Sequence, residues 1–535
     1  MTASSVVAKN ASSSTSKAMA STSLKSLVLR GIKRANSPPT HYRHRHINWL
    51  PSAPMDRIEN GLVAVVKQDC ETCILVEPIL AQLAATGMSV YSQDNPAFPG
   101  SVADVRDDRE LEASFKLEIE TVPTVVRMEN GIETGRVVGW VRDEWRDFTG
   151  IADLGEGLPA FRPGCGSKSV EPGIAEELAV RYGDLPIVSR RIEVAPLEDE
   201  IEACFERDWS DGLPVVPPTP TRVYRMLQGT KRSPDEVIGL IPPDLNPCTV
   251  EKVAINAVMA GCKPEYLLVV LAAVEAALID EFCMHGLLCT TMFAGPMVVV
   301  NGPIARRIGM NARENALGQG NRANATIGRA LQLVIRNVGG GKPGGIDRAC
   351  MGNPGKYTFC FAEDEAGSNW ESLSVERGFA PDASTVTLFA GDGVQAISDQ
   401  KSREPLSLAR TFAACLRVVD HPKYVMAGDA FLIVSPEHER TFIKAGWSKA
   451  RLKEELDELL LIPGEELVVG ASGMAEGVPA KMAGKRLPKF RPGGLNIVRA
   501  GGGAGMFSAV IGGWAASGEK GSIPVTKEII EDITE

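Results

Sequence analysis

A pair of cysteines separated by two residues has the clearest chemical use in this sequence. Cys70 and Cys73 lie between an apolar, strand-like run over residues 62–66 and a helix-like stretch over 74–83. The first thiol is therefore predicted at the amino end of a helix, where N–H groups and the helix dipole stabilise a thiolate. The second thiol, one turn further on, could attack a mixed disulfide formed by the first. The spacing predicts a redox-active disulfide, and Glu71 between the thiols opposes the thiolate by like charge.

Two alternatives to redox chemistry use the same residues. The pair could be a chance spacing, or it could be half of a zinc site. A structural zinc site would need a second Cys-x-x-Cys or a pair of histidines nearby. The sequence has neither close to Cys70 and Cys73, which favours the redox interpretation.

The residues around the dithiol must position it, and they alternate between strand-like and helix-like patterns. Pro78 falls inside the first helix-like stretch and is expected to kink it. The later predicted elements are a strand over residues 88–93, a helix over 110–116, an apolar strand opened by Pro123, a hairpin turn at Asn130-Gly131 and a returning strand over 136–140.

Residues 56–150 resemble the thioredoxin family, on the strength of Cys70-x-x-Cys73 after a strand, Pro78, and Val122-Pro123-Thr124 before another strand. The resemblance implies a thioredoxin-like fold, with Cys70 as the attacking thiol, Cys73 as the resolving thiol and Pro123 as a cis-proline beside them. It also implies electrons from an external thiol or a thioredoxin-reductase-type donor. The chain departs from the family where Glu71-Thr72 replace the common Gly-Pro and where no Trp precedes Cys70.

Residues 151–195 are rich in Gly and Pro and are predicted to be a linker. Cys165 lies on this segment. A thiol there could pass electrons between two domains, or it could be an incidental cysteine.

The remaining residues, 196–535, are predicted to form one large, Gly-rich α/β domain or two packed units, because helix and strand patterns alternate with glycine at the connections. The predicted helices cover residues 250–261, 264–279, 325–338, 406–418 and 448–461, and the predicted strands cover 297–301, 385–389, 425–434 and 495–499. The fold class expected for the chain is therefore α/β, with a thioredoxin-like domain followed by this large domain.

Two glycine-rich turns in the large domain are each predicted to lead into a helix and are candidates for binding an anionic small-molecule substrate. Free N–H groups at a helix start can hold a carboxylate or phosphate. Neither turn matches a phosphate-binding loop or a complete dinucleotide fingerprint, and tight packing explains such glycines equally well. The candidate residues are Gly318, Gly320, Asn321 and Arg322 in the first turn and Gly501, Gly502 and Gly503 in the second.

Cys283, His285 and Cys289 concentrate two thiols and a histidine in one short segment. They could carry out thiol chemistry, with Cys283 and Cys289 as catalytic residues, or they could hold a metal ion. Because the segment is apolar, buried cysteines without a chemical role are the main alternative. Further along the chain, the acidic run over residues 363–365 is expected to be a solvated face.

Residues 208–219 read as a turn followed by a polyproline-like arm, of the kind that crosses a partner surface or a neighbouring subunit. A homo-oligomer is therefore an open alternative to a monomer. This stretch is similar, more weakly, to the opening of the UGSC-motif (seleno)protein group, a resemblance that implies thiol redox chemistry without naming a substrate.

The charge of the chain is unevenly distributed. Residues 1–55 hold four Lys, four Arg and no acidic residue, so the other 480 residues carry −18 within a net charge of −10. The net negative charge of residues 56–535 argues against nucleic-acid binding. The sequence has no long uncharged apolar run of the kind that would predict a membrane span. Eleven cysteines at irregular spacing indicate a cytoplasmic protein with reduced thiols. The basic tail is either disordered or a transit peptide, which would place the protein in the mitochondrial matrix.

Together these features predict a thiol-dependent oxidoreductase whose small domain supplies electrons to a large, substrate-binding domain. One alternative is a thiol- or metal-assisted enzyme that cleaves or forms a carbon–heteroatom bond, with the small domain as its reductant. Another is a redox-sensing binding protein without turnover.

Overall fold

The computed structural model describes residue 58 and residues 60–468, 477–514 and 521–531. The tail that the sequence predicts over residues 1–55 lies outside these ranges, so its targeting role stays a prediction. The described chain is a mixed α/β structure, in agreement with the expected fold class.

Within the described ranges, a five-stranded sheet with strand order β3-β2-β1-β5-β6 organises the first part of the chain. Strands β1, β2 and β3 run parallel to one another. Strand β5 pairs antiparallel with β1, and β6 pairs antiparallel with β5. The elements of this part are, in chain order, β1 (Gly61–Val66), α1 (Glu71–Leu75), α2 (Glu77–Ala84), β2 (Ser89–Ser92), β3 (Val105–Asp107), α3 (Glu112–Lys116), β4 (Thr121–Val122), β5 (Thr124–Glu129), β6 (Ile132–Val138), β7 (Trp140–Val141), α4 (Arg142–Thr149), β8 (Phe161–Arg162), β9 (Cys165–Gly166) and α5 (Ile174–Tyr182).

Local sequence signals place these elements as expected. The apolar run of β1 is buried over its last four residues. The predicted helix over 74–83 begins earlier and is divided at Val76, because Pro78 cannot continue the first helix and instead occupies the first turn of α2, where its missing N–H has no cost. Asn130 and Gly131 both have positive φ, at 55° and 79°, and connect β5 to β6 as a tight hairpin turn.

The glycine- and proline-rich residues 151–195 carry structure of their own. Strand β8 pairs with β7, β9 pairs with β4, and α5 follows. The first half of the predicted linker is therefore joined by backbone hydrogen bonds to the region that holds the dithiol.

A larger sheet organises the second part of the chain. Its seven described strands follow the order β13-β12-β14-β19-β15-β18, with β20 paired to β14. The elements are α6 (Glu200–Glu206), α7 (Pro220–Leu227), β10 (Val237–Ile241), β11 (Asn246–Thr249), α8 (Val250–Ala260), α9 (Leu267–Ala277), α10 (Met284–Cys289), β12 (Gly295–Asn301), α11 (Pro303–Arg307), α12 (Arg322–Asn337), β13 (Cys360–Ala362), α13 (Leu373–Glu376), β14 (Thr385–Ser398), α14 (Pro405–Arg417), β15 (Ala430–Val434), α15 (Pro436–Lys444), α16 (Lys449–Leu459), β16 (Leu461–Pro463), α17 (Gly464–Val468), β17 (Arg486–Pro488), β18 (Leu495–Arg499), β19 (Phe507–Gly513) and β20 (Val525–Glu528). Short 3-10 turns cover Lys168–Val170, Pro264–Tyr266, Asp280–Phe282, Pro354–Lys356, Glu365–Gly367 and Ala480–Met482.

The helices and strands predicted over the ranges given above for this part are confirmed, with shifts of up to three residues at most ends and two larger differences. Strand β14 continues nine residues beyond the predicted end, through an irregularity between Gly391 and Val394, to pair with β19. Strand β15 begins at Ala430 instead of residue 425, since the residues before it belong to a loop. Pairing with strands that are distant in sequence sets the end of β14 and the start of β15. The periodicity of a single segment does not reveal such pairing.

Helix α9 consists of apolar residues apart from Glu275, and all of these apolar residues are buried in the core. The Glu275 carboxylate is paired with Arg232 at 2.7 Å and with Lys527 at 3.2 Å. None of the helices in the described ranges combines the length and the apolarity that crossing a bilayer would need.

The arm over residues 208–219 is bound to its own chain. The Arg329 guanidinium of α12 pairs with Asp211 at 2.7 Å and donates to the carbonyls of Leu213 and Pro214. The Val216 N–H of the arm also donates to the Met259 carbonyl of α8 at 3.0 Å. The arm is therefore held against α12 and α8 of its own chain, and a role in contacting a neighbouring subunit stays a prediction.

The expectation of a solvated acidic face over residues 363–365 is wrong for two of its three members. Glu363 and Asp364 are only 7% and 6% exposed. Asp364 accepts from Arg499 at 2.7 Å, and the same guanidinium lies 2.7 Å from Glu439. Buried carboxylates require such partners, because an unpaired charge is costly to remove from water. Here the partner is Arg499, a residue distant in sequence from both carboxylates.

Replacing Arg499 with Met should test the importance of this buried pairing. The substitution leaves Asp364 and Glu439 as uncompensated buried carboxylates, and we expect a loss of about 3 kcal/mol in the free energy of unfolding. Arg451→Met is the control, because Arg451 pairs with Glu455 on a half-exposed helix face and should cost less than about 0.5 kcal/mol. Urea unfolding measures both variants, and equal losses would contradict the prediction.

Candidate functional site

The dithiol lies at the start of α1, immediately beyond the end of β1. Cys70 is the N-cap residue of α1, with an extended backbone at φ −151°. Its Sγ accepts a hydrogen bond from the Cys73 backbone N–H at 3.3 Å and lies 3.6 Å from the Val122 carbonyl oxygen. Asp94 holds the preceding loop by accepting from the N–H groups of residues 68 and 69 at 2.8 and 2.9 Å. The first thiol is therefore at the helix amino end, where the sequence places it.

The two sulfurs differ in electrostatic environment. A hydrogen bond from the Cys73 thiol is the largest influence on Cys70, and with help from the Cys165 thiol and two backbone N–H groups it overcomes burial and lowers the pKa of Cys70 to about 5. Burial raises the pKa of the Cys73 thiol far above its usual range, and the neighbouring Cys70 adds to this effect. At neutral pH Cys70 is therefore a thiolate, whereas Cys73 keeps its proton.

A short segment, residues 161–166, lies across the start of α1, and we call it the strap. Its Arg162 forms an ion pair with Glu71, and its Pro163 carbonyl accepts from the Thr72 hydroxyl at 2.6 Å. Arg162 thus offsets the like charge that Glu71 places beside the thiolate. The strap leaves Cys70 only 3% exposed.

Strand pairing brings the third thiol to the same place. Cys165 in β9 is directly opposite Val122 in β4, and Val122 precedes Pro123 in a cis peptide bond, as the sequence predicts. Burial raises the pKa of Cys165, as does its hydrogen bond to Cys70. The structure therefore brings three thiols together at one site, of which spacing alone identified two.

In the sequence, Gly164 is the residue that could have indicated that the strap lies close to β4. A β-carbon there would lie 2.3 Å from the Thr121 side chain and 2.8 Å from the Val122 carbonyl oxygen. Only glycine lets the strap lie this close to β4.

The two glycine-rich turns predicted as anion sites contact the same loop, residues 311–316. The Gly501 N–H donates to the Ala312 carbonyl at 2.9 Å, and the Gly318 N–H donates to the Asn315 carbonyl. A β-carbon at Gly502 would meet the Glu314 side chain at 3.0 Å. The turns therefore lie near each other through this loop.

Side chains of the first turn already have partners within the protein. The Asn321 side chain caps α12 by accepting from the Asn324 N–H at 3.0 Å, and Arg322 donates to the Gly261 carbonyl at 2.9 Å. Gly320 has a positive φ of 115°, and the Gly503 carbonyl accepts from Arg440 at 3.4 Å. The prediction of a helix after the second turn is wrong, because the residues that follow it form strand β19 and pair with β14 and β15. Anion binding at these turns stays a prediction.

Cys283 and Cys289 lie at opposite ends of α10, with His285 exposed between them. Cys283 precedes the helix in a left-handed conformation at φ 53°. Among the residues that the structure describes, no group of three or more His, Cys, Asp or Glu side chains is placed to hold a metal ion. The structure thus does not assemble these three residues into a ligand set.

A different neighbour lies near Cys289. The Cys350 N–H donates to the Thr291 carbonyl at 2.9 Å, and the Arg348 N–H donates to the Leu288 carbonyl at the same distance. Cys289 and Cys350 are therefore on adjacent segments, and both are exposed.

Sequence patterns did not reveal a cavity of about 680 Å³ beside β14. Its lining includes Asp392, Asp420, His421 and Tyr424 but no cysteine. Burial raises the pKa of the Asp392 carboxyl above its usual range. The cavity could admit a small molecule, and its polar groups come from strand β14 and from the loop between α14 and β15, away from the predicted glycine turns.

No protein-family model matches this chain, and no curated protein is significantly similar to it in sequence.

The low pKa of Cys70 gives a direct prediction for the reduced protein. At neutral pH the wild-type protein should show an ultraviolet thiolate absorbance that the Cys70→Ser variant lacks. In wild type this absorbance should disappear on acidification, with a midpoint at a pH of about 5. Cys204→Ser is the control, since burial raises the pKa of that thiol and its replacement should leave the signal intact. A midpoint at or above neutral pH would contradict the assignment.

Proposed function

We propose that this protein is a thiol–disulfide oxidoreductase that uses Cys70 as the nucleophile and Cys73 as the resolving thiol. The observation that carries the proposal is the placement of the two sulfurs: Cys70 is the N-cap of α1 and its sulfur accepts from the N–H of Cys73, which lies one turn further on. Thiolate is the reactive form in disulfide exchange, and a second thiol within reach completes the reaction.

A thioredoxin-like fold for residues 56–150 is part of this proposal. It is supported by the parallel β1–β2 pair, by the dithiol helix that follows β1, and by the antiparallel β5–β6 hairpin. The cis Val122–Pro123 bond beside Cys70 supports it further.

The reaction proceeds by two exchanges. The Cys70 thiolate attacks one sulfur of a substrate disulfide, so that a Cys70–substrate disulfide forms and the other substrate sulfur leaves as a thiolate. Cys73 gives its proton to that thiolate and then attacks the Cys70 sulfur, which releases the second substrate thiol. The substrate gains two electrons, and the protein is left with a Cys70–Cys73 disulfide. An external thiol or a thioredoxin-reductase-type enzyme returns it to the dithiol.

Electrons from the Cys70–Cys73 dithiol need an acceptor group. The cavity beside β14 is lined by no cysteine, whereas Cys289 and Cys350 are exposed on adjacent segments. If the small domain reduces a thiol-bound intermediate in the large domain, this second pair is the better candidate acceptor. A small-molecule substrate would then bind elsewhere in the large domain.

Insulin reduction with dithiothreitol as the electron donor tests the proposed function. Cys70→Ser should abolish the catalysed rate because the nucleophile is lost, and Cys73→Ser should lower it strongly because the mixed disulfide is no longer resolved by Cys73. Cys415→Ser, which alters a half-buried thiol on α14, should react at the wild-type rate. A Cys70→Ser variant with full activity would refute the proposal.

The same variants separate the two alternatives predicted from the sequence. If the dithiol only keeps a second active site reduced, an excess of small thiol should restore that enzyme in the Cys70→Ser protein. A redox-sensing binding protein would instead show oxidation-dependent binding without turnover of any disulfide.

A further inference from the structure

We infer that Cys165 is a third redox-active thiol, which exchanges with the Cys70–Cys73 disulfide to form a Cys70–Cys165 bond that locks the strap over the site. This inference rests on the proposed function, because it needs Cys70 to react with disulfides. It adds a regulatory state in which the oxidised protein closes its own site.

Contacts join the strap to the dithiol segment at two positions, and strand pairing brings Cys165 to the third. Glu71 pairs with Arg162, and Thr72 donates to the Pro163 carbonyl at 2.6 Å. Cys165 is directly opposite Val122, whose carbonyl oxygen lies 3.6 Å from the Cys70 sulfur. The strap is therefore aligned with the start of α1 at the level of single residues, which places Cys165 beside the attacking sulfur.

Contacts on both sides hold the strap in this register. Before it, the Trp140 indole donates to the Pro159 carbonyl at 2.7 Å, and the Arg142 N–H donates to the Ala160 carbonyl at 2.9 Å. After it, the Gln93 side chain donates to the Ser167 hydroxyl at 2.6 Å. A thiol held in place on a fixed segment is available for exchange without a large movement of the chain.

The three sulfurs offer Cys70 two alternative partners. Cys73 is fully buried, whereas Cys165 is half-buried and reaches solvent. Every cysteine is a free thiol in this structure, so neither bond is yet formed. Cys70 can form a disulfide with only one of them at a time. Each oxidised molecule therefore carries either the Cys70–Cys73 bond or the Cys70–Cys165 bond.

The exchange needs no oxidant beyond the substrate disulfide that formed the Cys70–Cys73 bond. The Cys165 thiol loses its proton and attacks the Cys70 sulfur, the Cys70–Cys73 bond breaks, and the Cys73 sulfur takes up a proton. One disulfide replaces another, so the oxidation state of the protein is unchanged. A thiol of high pKa is a slow leaving group, so the Cys73 sulfur takes up its proton as the bond breaks, and its raised pKa then keeps it in the thiol form.

Disulfide mapping of the full chain tests the inference. The reduced Cys73→Ser variant is treated with a small aromatic disulfide, digested without reductant and analysed by mass spectrometry. We expect a loss of two hydrogens from the protein and a cross-link between the peptides that contain Cys70 and Cys165. A lasting aromatic thiol adduct on Cys70 with Cys165 free would overturn the inference.

Two further proteins guard against a folding defect in Cys73→Ser. In wild type, mapping should find both the Cys70–Cys73 and the Cys70–Cys165 bonds. Arg162→Glu should repel Glu71, lift the strap and lower the yield of the Cys70–Cys165 bond while the Cys70–Cys73 bond still forms. Equal yields in wild type and Arg162→Glu would count against the alignment argument.

The outcomes also separate this inference from the function on which it rests. If wild type forms the Cys70–Cys73 bond but never the bond to Cys165, only the inference fails. If Cys70 acquires neither an adduct nor a disulfide partner, the proposed function fails as well.

Discussion

The Cys70 sulfur carries a negative charge at neutral pH in a position that water barely reaches, and the surrounding structure has to compensate for that charge. Burial alone would raise the pKa of the thiol, because a low-dielectric site disfavours the charged form. The hydrogen bond from the Cys73 thiol, the N–H groups at the start of α1 and the Cys165 thiol reverse this effect. Helix, strand β4 and strap must therefore all keep their positions for Cys70 to remain a thiolate.

The strap links reactivity to access. The segment that carries Cys165 also lies across the start of α1, so the contacts that hold Cys165 near Cys70 also limit the approach of a disulfide. A substrate must displace part of the strap or approach beside it. A covalent bond between Cys70 and Cys165 would make the covering permanent until a reductant arrives, which is a simple way to couple the activity of the dithiol to the redox state around it.

The part of the chain organised by the seven-stranded sheet also contains buried charges. Asp364, Glu439 and Arg499 lie beneath the surface and pair across β18, α15 and the loop after β13. Such a group contributes little net stability compared with an apolar core, but removing one member leaves the others unpaired. Its place between three elements suggests that it specifies how they pack, whereas the cavity beside β14 keeps its polar groups accessible.

The sequence by itself determined the features that depend on a few neighbouring residues. The order of strand, Cys70-x-x-Cys73 and helix, the division of the helix near Pro78, the Asn130-Gly131 turn and the main helices of the large domain all follow from local spacing and backbone preferences. Only the tertiary structure decided that Cys165 joins the dithiol, that Glu363 and Asp364 are buried, and that Cys350 approaches Cys289. These outcomes depend on pairing between segments far apart in the chain. Periodicity within one segment carries no information about which other segment lies against it.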